Sequence, residues 1–588
     1  MFLINLLILL FFPKSVLAAD EFNVSQKIQY QIDISGNAIV SQQIELTNNL
    51  SQIYPKEYQI TLSSDKIQNI TGSDDQGNII QKVEQKDGIT IIYLLFNQVN
   101  LGKNQITKFK LTYNIPSLAI SKGSTWEIAL PENQTFDSQT QIDTTITVPN
   151  SFGSLSFNSV PPQNVISLSS QTEIFLKNNQ KNQKVLLIFG DYQLFDFSFK
   201  YFLENTTNKT DNFQIAIPPE TDVQKVVYRS IDPSPKNITI DADGNYLANY
   251  SLQSGEKINI DVDGQVKILH SNINRDEINS KDYLKKDLYW ETDDPNLISI
   301  ANNLKTPKDI YDYVINTLSY KTNSIDNSSR QGASLSLNDP TSALCTEFTD
   351  LFVTLARIKG IPAREVQGFA YSNNVKIKPV NNNTDILHAW PQYYDVNKSA
   401  WISVDPTWGK TTNGIDYFTD LDPNHFAFVF HGLSSQFPLP PGAYKNNQNI
   451  KTVTVEFAKT EFIIDQTPLK IKPVSTKIYQ SPKIEIINPN YSSISQLKMS
   501  IDKFKFEKEI NHIPPLSSVE VELPKISFLN SILPQNYQIN IKLRYNSDTV
   551  DFKIINHQYW FNLITFIAAI ATLIGFGGII FKRTKNTK

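Results

Sequence analysis

Residues 341–370 read TSALCTEFTDLFVTLARIKGIPAREVQGFA. They hold Cys345, the only cysteine among 588 residues. Phe348, Leu351, Phe352, Leu355 and Ala356 recur at spacings of three and four, which predicts a helix with one apolar stripe. Gly360 suits the left-handed cap that ends such a helix, and Pro362 blocks its continuation. Thr341 or Ser342 is the expected N-cap. Cys345 then falls in the first turn, where unpaired backbone N–H groups and the positive end of the macrodipole favour a thiolate. A structural thiol more usually lies on the apolar stripe, deep in the helix.

A nucleophilic thiolate needs a base. The chain has six histidines, and His388 lies in LHAW, 43 residues after the cysteine. Asp405 follows 17 residues later in WISVDPTWG. Both sit in short β-type runs, with Trp390, Trp401 and Trp408 close by in sequence. A nucleophile at a helix start, a histidine on one strand and a carboxylate on the next is the papain-like order of parts. The imidazole takes the thiol proton and the carboxylate fixes its tautomer. His425 is the rival base, and Asp405 also reads as a turn cap before Pro406. Trp390 and Trp408 are the candidate substrate-binding walls, with core packing as the competing role. Asp350 and Arg364 are expected to pair with each other or to brace the fold.

Four stretches in this order, CTEFTDLFVTLARIKGIPAREVQGFAY (345–371), LHAWPQYYD (387–395), WISVDPTWG (401–409) and NHFAFVFHG (424–432), resemble the bacterial and archaeal transglutaminase-like superfamily. The resemblance covers roughly residues 290–433. It implies a papain-like core with Cys345 as nucleophile, His388 as base and Asp405 as orienting carboxylate. Many members have glycine two residues before the cysteine, where this chain has Ala343. The backbone N–H of Cys345 is the one oxyanion donor that can be named. No metal or cofactor is expected.

A chain of this length implies several domains. Its 40% apolar and 19% charged content is that of a folded protein. Net charge is −4 and no basic stripe precedes the extreme C-terminus, so nucleic acid is not an expected partner. A single cysteine excludes internal disulfides. The apolar run Phe2 to Phe12 is too short to span a bilayer, and Ala18 and Ala19 suit a cleavage site, so 1–18 reads as a signal peptide. An uncleaved anchor is the alternative. Trp560 to Phe581 has no charged side chain and reaches ~33 Å as a helix. Tyr559 and Trp560 suit an aromatic belt. Lys582, Arg583, Lys585 and Lys588 then predict a cytoplasmic tail. A buried core helix is the competing reading.

The expected fold class is multidomain α+β: a papain-like transglutaminase core flanked by β-sandwich domains, with one C-terminal transmembrane helix. Alternating strands such as KIQYQID and GITIIYLLF, parted by turn signals, place a β-sandwich at 19–195 and a second β-rich domain at 196–275. A faint similarity between YQITLSSDKIQNI and FQIAIPPETDVQKVV hints that the two are related. The acidic glycine turns DADGN and DVDGQ lack the spacing of calcium loops and read as hairpin turns. Thr306, Pro307 and Asp309 form a helix-start signature, with Ile310, Tyr313, Val314 and Leu318 behind it. The catalytic domain is expected at 276–435, an immunoglobulin-like sandwich at 450–555, the membrane helix at 559–581 and a basic tail at 582–588.

The expected protein is an extracytoplasmic, single-pass enzyme of the cell membrane. It forms a Cys345 acyl-enzyme on a protein or peptide substrate at the cell surface, resolved by amine or water. Two readings compete with it: a strict cysteine protease or amidase on cell-surface peptides, and a non-catalytic binding scaffold.

Overall fold

The computed structural model describes residues 21–585 outside 133–140, 178–183, 271–279, 322–328, 373–377, 381–384, 386, 413, 448, 475–482, 525–537, 546–547 and 556. The chain divides into two units. One comprises Met1–Gln193, Lys376–Pro379 and Val404–Pro423; the other comprises Leu194–Val375, Val380–Ser403 and Asn424–Lys588. The expected leader 1–18 lies outside the described residues.

The first unit is built on an eight-stranded sheet at whose centre Phe22–Ile32, Ala38–Asn48 and Ile106–Ile115 run antiparallel. From Gln26 to Ile32 the strand Phe22–Ile32 alternates buried and exposed residues, as a half-solvated strand must. A three-stranded and a four-stranded sheet complete one shared core around Val40, Leu111, Ile92, Ile128 and Leu187. The two excursions from the later chain belong to this unit. Val404–Pro423 contributes the short helix Pro406–Thr411, and Tyr417 stacks on Phe157 at 5.6 Å between ring centres.

The second unit begins with a sandwich. Its three-stranded sheet consists of Asp211–Ile217, Tyr246–Leu252 and Asn237–Ile240. Its four-stranded sheet consists of Gln224–Asp232, Lys257–Leu269, Tyr192–Glu204 and Val453–Phe457. The last strand corrects the sequence reading, which placed it in the C-terminal domain. It pairs with Tyr192–Glu204, Phe195 opposite Phe457. Period-two alternation predicts a strand but says nothing of its partner. The two stretches with faint similarity both form a strand that crosses to a second sheet: Glu57–Leu62 to Gln68–Asp74, and Asp211–Ile217 to Gln224–Asp232.

Helices follow: α1 (Pro295–Asn302), α2 (Pro307–Thr317), α3 (Gly332–Asn338) and α4 (Cys345–Ile358). Thr306 and Asp309 cap α2 reciprocally, as its sequence predicts. Its buried face holds Ile310, Tyr311 and Val314; Tyr313 is only half-buried, and Tyr311 takes the place expected for it. Helix α4 is central: α1, α2 and α3 all pack on it. On another side it lies on an antiparallel sheet of order Ala400–Ser403, His388–Asp395, Ala363–Ala370, His425–His431. The expected single apolar stripe is therefore incomplete. Every residue of α4 except Thr346 and Ile358 is buried, including Thr349, Asp350 and Arg357.

Among the described residues the far edge of that sheet pairs with no further strand. Two buried amide side chains from the sandwich serve its backbone instead. Gln224 donates to Ala427 O and accepts from Ala427 N, both at 2.9 Å. Asn245 donates to Phe430 O at 2.8 Å and accepts from Phe430 N at 2.7 Å. A buried edge strand needs such partners, since an unpaired backbone group costs as much as a lost hydrogen bond. Phe369, Phe426 and Phe428 bury their rings in the sandwich core.

Beyond this come sheets of three and four strands with one core around Ile486, Leu497 and Leu543. A helix of 29 residues, His557–Lys585, follows. Its side chains are described only at 560 and 562–575. Among the described residues no helix is long and apolar enough to cross a membrane. The expected span 559–581 lies in part, and the tail 582–588 wholly, outside the described side chains.

Candidate active site

Cys345 is the first residue of α4, and 8% of it is exposed. Its N-cap is Leu344, not Thr341 or Ser342. Those two hydroxyls instead bond Asp339, which turns the chain before the helix begins. Leucine has no side-chain acceptor, so half of the usual capping exchange is missing. The other half is present: the Leu344 N–H donates to Glu347 Oε2 at 2.9 Å. The Thr349 hydroxyl donates to Cys345 O at 2.8 Å. The cysteine thus sits at the positive end of a buried helix, the position its sequence predicts. Gly360, with φ of +77°, takes the left-handed conformation expected past the far end.

His388 opens the strand on which α4 packs, opposite Gly368. It is 2% exposed, and its ring lies 5.8 Å from that of His425, centre to centre. Trp390 is buried beside both, 6.0 Å from His388 and 5.1 Å from His425. Gly368 allows this close layering. A Cβ there would stand 2.1 Å from Phe426 O, a distance no side chain can take.

Asp405 belongs to the first unit. The Ala400–Ser403 strand pairs with the His388 strand, Ser403 opposite Gln392, and the chain reaches Asp405 two residues later. Asp405 is fully buried and caps the helix Pro406–Thr411, with Oδ1 accepting from Trp408 N at 3.0 Å. Trp408 is fully buried, and its indole N–H donates to Pro379 O at 3.1 Å. Lys378 and Tyr417 cover its ring.

A buried charged network lies behind α4, and the sequence reading missed its centre. Arg330, from the polar stretch between α2 and α4, bonds Asp350 of α4 through Nε at 2.8 Å and again through Nη2. It reaches Glu365 at 3.0 Å and Ser435 O at 3.0 Å, with its guanidinium over the Tyr289 ring. Asp350 therefore pairs with Arg330 and not with Arg364. Arg364 instead stacks on Trp401 and Phe430 and donates to Gln392. The Trp290 indole also donates to Asp350. His431 meets Glu365 through Nδ1 at 2.9 Å and donates from Nε2 to Pro438 O at 2.7 Å. Burial pushes the Asp350 carboxyl up, against the pull of Arg330. Burial acts on Glu365 too, but Arg330 and His431 outweigh it and hold that carboxyl below its usual range. His425 and His431 carried a signal in the sequence, standing six residues apart on one strand. Arg330 carried none.

Residues 298–406 match the profile of the transglutaminase-like superfamily. No curated protein matches the chain. Among solved structures, a candidate cysteine protease from Cytophaga hutchinsonii is similar at 12% identity, with a TM-score of 0.30, over 57% of this chain and 93% of that one. The periplasmic domain of TgpA from Pseudomonas aeruginosa is similar at 14% identity, with a TM-score of 0.22, over 38% of this chain and 92% of that one. The chain therefore carries a transglutaminase-like core, a fold that suits a cysteine hydrolase or transferase.

Proposed function

We propose that this protein is a thiol enzyme that makes an acyl-enzyme at Cys345 from an amide or peptide substrate. One observation supports it above the others. The only cysteine heads a buried helix in the family-matched segment, and that helix packs on the strand that starts at His388. In the proposed reaction His388 removes the Sγ proton as sulfur attacks the carbonyl carbon. The oxyanion is met by the Cys345 N–H, and the imidazolium returns the proton to the departing amine. A second amine or water then attacks the thioester and frees the sulfur. Asp405 holds the imidazole in the tautomer that accepts at the sulfur-facing nitrogen. Trp390, packed against His388 and His425, is proposed as a wall of the acyl site.

The test is mass spectrometry of the intact protein after incubation with a peptide library containing glutamine side chains. The proposal expects a covalent adduct on Cys345 that is lost in His388→Ala. The absence of an adduct with every peptide, while the thiol remains titratable, would count against it. Adding a primary amine separates transfer from hydrolysis: an amine-capped product marks a transferase, and the free acid marks a protease or amidase.

The same proposal places the enzyme outside the cytoplasm, anchored by 559–581. Its support is the sequence: no charged side chain across that span and a basic cluster just after it. Alkaline extraction of membranes should leave the full chain in the pellet and release a chain ended before 556. Release of both would remove the anchor from the proposal.

A further inference from the structure

We infer that Glu347 is a positioning residue, a buried carboxylate that closes the neck of segment 331–344 and so sets where Cys345 stands. The inference rests on the proposed use of Cys345 as nucleophile. The segment leaves the buried network just after Arg330, forms α3, and returns to α4 at Leu344. Both of its ends meet one side chain. Glu347 Oε1 accepts from Gln331 N at 2.9 Å. Its Oε2 accepts from Leu344 N at 2.9 Å and from the Thr346 hydroxyl at 3.0 Å. Glu347 is 2% exposed, so water does not compete strongly for these contacts. Hydrogen bonds from backbone N–H to a carboxylate are among the stronger kinds, and a helix N-terminus favours the negative charge.

The body of the segment is held elsewhere. Glu291 accepts from Ala333 N at 3.1 Å and Ser334 N at 3.3 Å, and the Ser334 hydroxyl donates to Asp294 at 2.6 Å. Ser319 N donates to Pro340 O at 2.7 Å, and Lys321 N to Ala343 O at 2.9 Å. Lys321 holds the carbonyl of the Ala343–Leu344 peptide, so loss of Glu347 loosens the neck without unseating the loop. The position that moves is the peptide leading into Cys345, whose N–H and sulfur the reaction uses. A second role for Glu347 would act in the opposite sense. If the carboxylate mattered only as a charge beside the sulfur, it would oppose the thiolate, and its removal would speed alkylation.

The experiment uses the full chain with Glu347→Gln and Glu347→Asp. Glutamine keeps the shape but turns one acceptor into a donor facing a donor. Aspartate keeps the charge but is too short to span both amides. Hydrogen exchange is read on peptides covering 331–345, and Cys345 is alkylated with iodoacetamide across a pH series. Closing the neck predicts faster exchange in both variants and alkylation slower by about tenfold or more, the usual effect of a misplaced reacting group. Wild-type exchange in both variants would overturn the inference. So would faster alkylation in Glu347→Gln with Glu347→Asp unchanged. If wild-type alkylation does not depend on His388, the enzyme reading fails, and the exchange data alone decide whether Glu347 holds the neck.

Discussion

Arg330 shows what a single residue does here. Its guanidinium answers two buried carboxylates on different elements, Asp350 and Glu365, both fully inaccessible. Removing one partner of such a group leaves uncompensated charge in the interior, which typically costs about 3–5 kcal/mol. Arg330→Met should therefore lower the unfolding free energy of the second unit, read from a denaturant titration, by that order. Adding Asp350→Asn and Glu365→Gln should recover most of the loss, because the charges then disappear together. No recovery in the triple variant would mean that the arginine acts through packing alone. At this scale the sequence was legible where a residue's own neighbours fix its place. Cys345 is followed at the right spacing by the buried face of its helix, and Gly360 and Pro362 mark the helix end. Arg330 was not legible, because its partners lie 20 and 35 residues away and nothing in a polar stretch marks which cation will be buried.

At the scale of elements, the outer edge of the His425–His431 strand depends on two amides, while its inner edge pairs with Ala363–Ala370. Asn245→Ala would strip both backbone partners from Phe430 in a buried place. The expected loss is about 1–3 kcal/mol, the cost of burying groups left unpaired. Gln224→Ala should cost a similar amount, and thermal melts of the two variants check both.

The strand Phe506–Ile513 offers a pH test. His512 is bonded to the Tyr246 hydroxyl and packs on its ring. Burial first, then the nearby Lys225 charge, holds His512 down at about 4, below its ordinary 6.5. A depressed histidine contributes stability that is whole above 6.5 and is lost as pH falls through 4. The full difference is on the order of 3 kcal/mol. Melting temperature should fall with acid across that window, and His512→Gln should flatten the slope. The strands themselves were readable from alternation, as was the capped start of α2. The partner of Val453–Phe457 was not, because alternation is a property of one strand and pairing is a property of two.

At the scale of the whole molecule, the family-matched segment is not a free-standing domain. Lys376–Pro379 lies inside it yet belongs to the first unit, and so does Val404–Pro423, which begins at its end and carries the fully buried Trp408 and Tyr417. The sheet it shares with the strand His425–His431 also buries Phe369, Phe426 and Phe428 in the sandwich core. An isolated 276–435 fragment would expose these aromatic side chains, each worth about 2–3 kcal/mol of burial. It should aggregate, or show no cooperative melt, while the full chain melts cooperatively. A soluble fragment with a sharp transition would contradict this. Composition and turn signals located the β-rich regions and the helical centre of the chain. They were silent on the excursions, because a loop that packs into another unit has no compositional signature.

The central claim is that Cys345 is activated by His388 and that Asp405 orients the base. The most direct measurement is the rate of Cys345 alkylation against pH in the wild type, His388→Ala and Asp405→Asn, each shown to be folded. The account predicts fast alkylation near neutral pH in the wild type, a shift to alkaline pH with a much lower neutral rate in His388→Ala, and an intermediate profile in Asp405→Asn. Three superimposable profiles from folded proteins would contradict it.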